Sequence, residues 1–545
     1  MCLVRIPLRI LKSNSRRPRY FRAAFPIVPV TISMALPTVY CVLLGLTAMY
    51  LTKLILFPKQ RAAPLPPGPK PRPIIGNLGD LPPPGKQDWQ HWWEYKERYG
   101  PISSINIFGK IIIIVNDFHI AHDLLEKHSS KYNSRPQLHT FVMHPYSDLY
   151  RPYRKIMNRL MGSRNAASQF NPLQHLETRR FLLRVLEDPT DIGKHAHTEA
   201  GAVILKIAYG YTIEPHSPDP LVNLIDLSTK IFSLAATPGM WLVDTFPFLR
   251  YVPSWFPGAK FKRTSLAWRK ILVSTAEKPF RFVQNQMRHG SYPPSYVASL
   301  LESSEGKFTP DEINIGKWTA ASLYAAGVDT TTSSVECFFL AMALYPEVQA
   351  KAQEELDRVL GPNRLPTLQD RENLPYIDAL VRETFRWHPV TPMAGPHLCS
   401  QDEIYKGYLI PKGAVVLPNL WTFTHDETIY KDPMSFNPER FLGSAPELDP
   451  HSVAFGFGRR MCPGRLLADN SLFGYVAQSL TVFNISREKG SDPKAEFLPG
   501  VISHPAPYPL KVTPRSEDHE KLIRMVESEH PWEESNAKDV EGIVC

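Results

Sequence analysis

One ten-residue stretch constrains this chain more than any other: Phe455-Gly456-Phe457-Gly458-Arg459-Arg460-Met461-Cys462-Pro463-Gly464. It sets a single cysteine in a glycine-rich, basic loop. Gly458 and Gly464 allow positive φ, or a close approach of backbone to something flat. Arg460 stands two residues before the thiol. Loop N–H groups and a nearby cation favour thiolate over thiol. The helical pattern that opens at Arg465 adds the positive end of its dipole. A thiolate held this way is a soft ligand for one metal centre, and no second cysteine or histidine stands nearby to complete a zinc site. The competing reading is a structural buried cysteine, the usual state of a lone one.

The context decides between them. Phe455, Gly458, Arg460, Cys462 and Gly464 fill the five fixed positions of F-x-x-G-x-R-x-C-x-G. This resembles the signature of the cytochrome P450 haem-thiolate monooxygenases, microsomal type, and the likeness runs from about Leu65 to about Arg515. The resemblance implies a haem b cofactor with Cys462 as the proximal iron ligand, pushing electron density toward iron. It implies a mainly α fold with small β-sheets (α+β), a single large domain behind an N-terminal transmembrane helix.

Composition agrees with a large globular domain: 43% of the 545 residues are hydrophobic and 21% charged. The six cysteines are scattered without CxxC spacing, which argues against a disulfide framework. The net charge of +9 could suggest nucleic acid, but its distribution excludes that. Residues 1–79 hold twelve Lys or Arg and no acid, the tail 516–545 carries −6, and only +3 remains for the middle.

The expected domains are a basic extension 1–33, a membrane anchor 34–57, a proline-rich linker 58–76, the haem domain 77–515 and an acidic, disordered tail 516–545 in which Leu522–Val526 can form a short helix. The extension reads either as a targeting segment or as sequence upstream of a start at Met34. The charge-free run from Ala35 is about the ~20 residues that cross hydrocarbon. With a start at Met34, the positive-inside rule puts the following domain in the cytosol; with seven basic residues ahead of the span it points the other way. The resemblance favours the endoplasmic reticulum with a cytosolic catalytic domain. Leu65 to Pro73 reads as a stiff spacer.

Further along, a helix is expected from Gln87 to Tyr99, strands over Ile102–Phe108 and Lys110–Val115 joined at Gly109, and a helix over Ile120–Lys127. Tyr150 and Arg154 are spaced i, i+4; the resemblance places both on a haem propionate, with Tyr where relatives usually have Trp. Arg179 to Phe282 is mostly helical in pattern. Thr309-Pro310-Asp311-Glu312 is a capping box that opens a helix running to about Leu344. In its middle, Ala326-Gly327-Val328-Asp329-Thr330-Thr331 opposes helix propensity. Such a violation reads as a functional site or as a Thr-rich packing face. Gly327 can admit a ligand to the backbone, Thr330 can aim a hydroxyl at bound oxygen, and Asp329 can feed a proton relay. The six residues resemble the family's oxygen-activation motif, which implies catalytic roles for Asp329 and Thr330.

The resemblance also implies a structural Glu383–Arg386–Arg440 cluster under the haem loop, and His397 against a propionate. Tyr408–Pro411 and Val415–Pro418 read as short strands, and Gly500–Pro507 as a turn dipping into the substrate pocket. Asn484 heads a glycosylation sequon, of no consequence in a cytosolic domain. The implied activity is insertion of one oxygen atom of O2 into an apolar small molecule, with electrons from NADPH through a flavin reductase docking near Arg459 and Arg465. The general look is closest to fungal secondary-metabolism enzymes. Two alternatives stay open: a reductase-independent haem-thiolate isomerase or dehydratase, and a catalytically silent haem-binding protein.

Overall fold

The computed structural model describes residues 62–543 together with Gly45 and Met49, apart from positions 84, 137–145, 149, 237–240, 291, 303–308 and 362. The expected extension and anchor therefore lie outside the described residues. Among the described residues, no helix is long and apolar enough to cross a membrane.

In chain order, helix α1 (Asp88–Tyr99) leads into strands β1 (Ile102–Ile107) and β2 (Lys110–Val115), followed by α2 (Phe118–His122), which continues as a wider turn to Lys127. Then come α3 (Tyr150–Met161), α4 (Asn171–Glu187), α5 (Ile192–Tyr209), α6 (Pro220–Ala236) and α7 (Lys260–Arg288). After these stand α8 (Pro310–Leu344), α9 (Pro346–Leu360) and α10 (Pro375–Trp387). Strands β3 (His397–Leu398), β4 (Glu403–Tyr405), β5 (Tyr408–Ile410) and β6 (Val415–Pro418) precede α11 (Arg465–Val482). The chain ends with β7 (Phe483–Arg487), β8 (Leu510–Pro514), α12 (Glu517–Glu529) and α13 (Ala537–Glu541). The expected helices and strands thus form close to where the sequence placed them.

β1, β2, β6 and β3 make one sheet in that order, with β2 and β6 parallel and the other pairs antiparallel. Phe108 and Gly109, at φ +48° and +84°, turn β1 into β2. Two further pairs, β4–β5 and β7–β8, complete the strands. Contacts divide the described chain into a large unit, 66–403 with 410–545, and a small one holding 62–65 and 404–409. In the small unit, the Leu409 N–H donates to the Pro64 carbonyl at 2.7 Å.

α8 is the axis of the large unit. Thr309 and Glu312 form the full capping box, with the Thr309 N–H donating to Glu312 at 2.8 Å. Its 35 residues span roughly 50 Å. One apolar cluster packs Phe338 and Phe339 of α8 against Phe181 of α4 and Tyr475 and Val476 of α11. A second packs Tyr324 and Val328 against Ile204 and Leu205 of α5. Burying each such large side chain contributes about 1.5–3 kcal/mol. These clusters fix α8 beside α11, and so beside the loop that precedes α11.

The tail after Arg515 corrects an expectation: it is helical and docked. Ser516 accepts the His519 N–H, opening α12. Leu522, Ile523 and Val526 fall on one face and are buried in the first apolar cluster, while the acids point outward. Trp532 lies under the guanidiniums of Arg180 and Arg184, at 4.5 and 5.2 Å. Asn536 exchanges two hydrogen bonds with the Thr212 backbone, at 2.9 and 3.0 Å. The Leu522–Val526 stretch, readable in the sequence as a short helix, carries a narrow apolar stripe that is sufficient to dock it.

Candidate active site around Cys462

Cys462 lies between a tight turn, Gly458–Arg460, and the start of α11. Its N–H donates to the Phe455 carbonyl at 2.8 Å, which closes the loop. Gly458 has φ +54°, and a side chain there would run into the Leu125 carbonyl. The Gly458 N–H donates to Glu126 at 2.5 Å, tying the loop to the turn after α2. Gly464 is not left-handed; at φ −88° it caps α11 and offers its N–H to Cys462.

The sequence reading expected this loop to lower the thiol pKa. Burial prevails instead and pushes the Cys462 thiol above its ordinary value, while the Gly464 N–H, Arg154 and Arg465 pull it down. The helping cations are therefore Arg154 and Arg465 rather than Arg460. Arg460 turns away from the thiol. Its Nε donates to the Asn133 carbonyl at 2.6 Å, and its guanidinium lies 3.9 Å from the centre of the Tyr150 ring. Tyr150 is buried, so it packs under Arg460 and pins it.

Beside Arg460 stands a residue the sequence reading missed, Arg135. It is buried, and its Nη1 donates to the Gly395 and Pro396 carbonyls, the latter at 2.6 Å. Its Nε has no hydrogen-bond partner among the described residues. Gly395 leaves the room it needs, since a Cβ there would lie 2.9 Å from Arg135 Nη2. Burial and the neighbouring Arg460 push Arg135 down to about 9. His397, in β3, completes the group. It is buried, its Nδ1 bonds the Tyr132 carbonyl at 2.7 Å, and burial with Arg135 and Arg460 holds it well below its ordinary pKa. The largest influences on Arg135 and His397 are burial and neighbouring guanidiniums. Bringing two buried guanidiniums together is costly. No pattern in the sequence distinguishes Arg135 from other arginines; only the fold brings it to this place.

On α8, the Thr330 hydroxyl donates to the Ala326 carbonyl at 2.7 Å, and Ala326 itself is exposed in mid-helix. Gly327 is also a packing position: a Cβ there would meet Ile204 of α5 at 2.8 Å. Asp329 faces another way, toward a histidine also missed from sequence. His504 Nε2 lies 3.2 Å from Asp329 Oδ1, and its Nδ1 lies 2.7 Å from Glu336 Oε2. His504 belongs to the Gly500–Pro507 turn, the one signal that could have drawn attention to it.

The expected cluster below the loop is present. Arg386 grips both oxygens of Glu383 at 2.7 and 2.8 Å, and Arg440 reaches the same carboxylate at 3.1 Å, all buried. Tyr146, Arg151, Arg154, Lys155, Arg159 and Arg459 help to line a strongly basic groove of about 670 Å³, with Asp148 3.5 Å from Arg151.

The sequence profile of the cytochrome P450 family matches residues 66–512. The chain belongs to the cytochrome P450 family. It is 45% identical over 92% of its length to a cytochrome P450 monooxygenase, claR, of Ampulloclitocybe clavipes, covering 96% of that protein. It is 43% identical to the O-methylsterigmatocystin oxidoreductase of Aspergillus flavus, over 91% of this chain and 96% of that one. A monooxygenase of Aspergillus oryzae, ppsD, is 44% identical over 91% and 97%. This cytochrome P450 is thus a haem-thiolate monooxygenase, and its residues fit the haem the family carries. A thiol sits at a helix start with two cations beside it, and next to that loop two buried guanidiniums meet, with Arg135 Nε unpartnered among the described residues, a setting that suits carboxylates such as the propionates.

Proposed function

We propose that this cytochrome P450 hydroxylates or epoxidises an apolar small molecule of a secondary-metabolite pathway, anchored by residues 34–57 to the endoplasmic reticulum with its haem domain in the cytosol. The single observation that carries the site assignment is the half-buried Cys462 thiol with Arg154 and Arg465 beside it, near which Arg135, with its Nε unpartnered among the described residues, stands against Arg460 and His397. Cys462 would ligate the iron, and Arg135, Arg460 and His397 would receive the propionates. Tyr150 and Arg154 hold Arg460 and the thiol side in place, with Phe455, Gly458 and Gly464 shaping the loop. Bound there, haem supplies the reductive activation of O2 that no side chain provides.

The remaining work falls to this chain's own groups. Thr330 holds its hydroxyl on the Ala326 carbonyl and can turn it toward the exposed face of α8. Asp329, its neighbour, holds or passes a proton. The basic groove at Arg459 suits an acidic flavin reductase that brings electrons from NADPH. The names of the relatives support the reaction class, and that of the Aspergillus flavus protein, an O-methylsterigmatocystin oxidoreductase, supports a secondary metabolite as substrate.

The test is the carbon monoxide difference spectrum of the reduced, full-length protein beside Cys462→Ala. A red-shifted Soret band in wild type that is lost in the variant establishes the thiolate ligand. Its absence from folded, haem-loaded wild type overturns the assignment. NADPH-dependent turnover then separates a monooxygenase from an isomerase or a silent haem protein. The intact Asp329–Thr330 pair favours the first.

A further inference from the structure

We propose that His504 is the positioning residue of Asp329, a cationic clamp that holds this carboxylate in register by sharing itself with Glu336. The proposal rests on the proton-handling role given to Asp329 above. Asp329 and Glu336 stand seven residues apart on α8, and one imidazole spans both, at 3.2 and 2.7 Å. Residues at that spacing share a helix face two turns apart.

Two further contacts tie this segment to the same helix, and a third ties it to the end of α10. The Ser333 hydroxyl donates to the Ser503 carbonyl at 2.6 Å, and Tyr508 donates to the Glu336 carbonyl at 2.5 Å. His388 bonds the Ser503 hydroxyl at 2.8 Å. Space is also reserved for the far end of the clamp: a side chain at Gly193, in the first turn of α5, would collide with the Glu336 carboxylate. Other ionisable groups surround it. His197 of α5 acts on the pair, with Asp226 and Lys230 of α6 behind it, and His388 lies on the other side.

The arrangement favours a clamp over a proton carrier. Burial opposes charge on His504, yet the two carboxylates outweigh it and raise the imidazole to about 10. A group held that far above neutrality releases its proton poorly at pH 7. It stays a cation and keeps Asp329 oriented. Because it rides on the Gly500–Pro507 turn, any shift of that turn moves Asp329.

The experiment uses the full chain, haem-loaded, in lipid nanodiscs with NADPH-cytochrome reductase. The rate of NADPH consumption under air is measured without added substrate. The companion readout is the protonation of His504 by NMR of 15N-histidine-labelled protein, assigned by its loss in His504→Gln. The wild-type ring is expected to stay protonated beyond pH 8, and Asp329→Asn to lower its midpoint by more than one pH unit. His504→Gln is expected to slow NADPH consumption ten- to a hundredfold, the effect of misplacing a reacting group. His504→Arg, which keeps a cation but donates no proton at this pH, is expected to restore most of it. Glu336→Gln should fall between wild type and His504→Gln.

A His504→Arg rate no better than His504→Gln, or His504→Gln at the wild-type rate, overturns the clamp while leaving Asp329 in its role. A wild-type rate for Asp329→Asn overturns that role and the clamp with it. Loss of the carbon monoxide band in the wild type itself removes the reading of the whole site.

Discussion

Ile523→Ala tests whether the C-terminal segment is part of the folded domain. Ile523 is 1% exposed and packs with Leu522 and Val526 into the cluster that holds α4, α8 and α11. Replacing a buried isoleucine by alanine costs about 2–5 kcal/mol, the removed methylenes plus the cavity left behind. The tail contributes few other strong terms: Arg179–Glu529 and Lys206–Glu533 have an exposed acid each, and such pairs contribute about 0–1 kcal/mol. Taking about 3 kcal/mol, the opening constant of α12 should rise roughly a hundredfold, at 1.4 kcal/mol per factor of ten. Trypsin reads this directly through Lys521 and Arg524 on α12, since cleavage tracks the open population when closing is fast. Amide exchange over Glu517–Glu529 should report the same factor. Wild-type protein cleaved there at the rate of an unfolded peptide, or Ile523→Ala cleaved no faster than wild type, refutes the docked tail and restores the disordered one expected from composition.

Three other perturbations follow from the same geometry. Glu383→Gln leaves Arg386 and Arg440 buried without their shared carboxylate, so a loss of about 3–5 kcal/mol is expected; unchanged thermal denaturation and haem retention would show the cluster to be dispensable. Lys155→Glu with Arg459→Glu should slow reductase-driven reduction at least tenfold at low salt, with the gap closing as salt screens it over about 8–10 Å. Equal rates at every ionic strength, with the chemically reduced carbon monoxide band intact, would remove the groove as the docking face. His451 is held between Asp449 and Asp469 at 2.6 and 2.9 Å; burial opposes its charge but the carboxylates raise it to about 9. Its pKa is raised on folding, so its stabilisation is fully present below about 6.5 and is lost as pH rises through about 9. His451→Asn should flatten the fall in melting temperature over that window, and an unchanged slope would assign the fall to other groups.

Local chemistry made much of this molecule legible from sequence. The capping box at Thr309, the β1–β2 turn at Gly109 and the helix opened by Pro375 are rules of neighbouring residues, and each element formed where those rules put it. The Cys462 loop was legible because five residue types are fixed within ten positions. Arg135 and His504 were not, because their significance comes from partners 260 and 168 to 175 residues away along the chain. The packing role of Gly327 was hidden for the same reason: the group that fills its missing side chain is Ile204, on another helix. Direction was the other failure. Arg460 is close to Cys462 in sequence, but its side chain joins Tyr150 and Asn133 instead of the thiol.

The electrostatics of the two faces of the site then belong to one design. Near the loop, burial keeps the Cys462 thiol protonated despite the Gly464 N–H, Arg154 and Arg465. A thiolate there depends on a metal ion, because ligation replaces the proton and couples metal binding to the thiol's pKa. Beside the loop, Arg135 and His397 are both pushed toward their neutral forms by burial and by like charges. A pair of carboxylates bound there would oppose both shifts and give Arg135 Nε an acceptor. Haem carries both a metal ion and two carboxylates, so under the proposed assignment it would relieve these strains together, and Arg135→Ala should weaken haem retention as Cys462→Ala does.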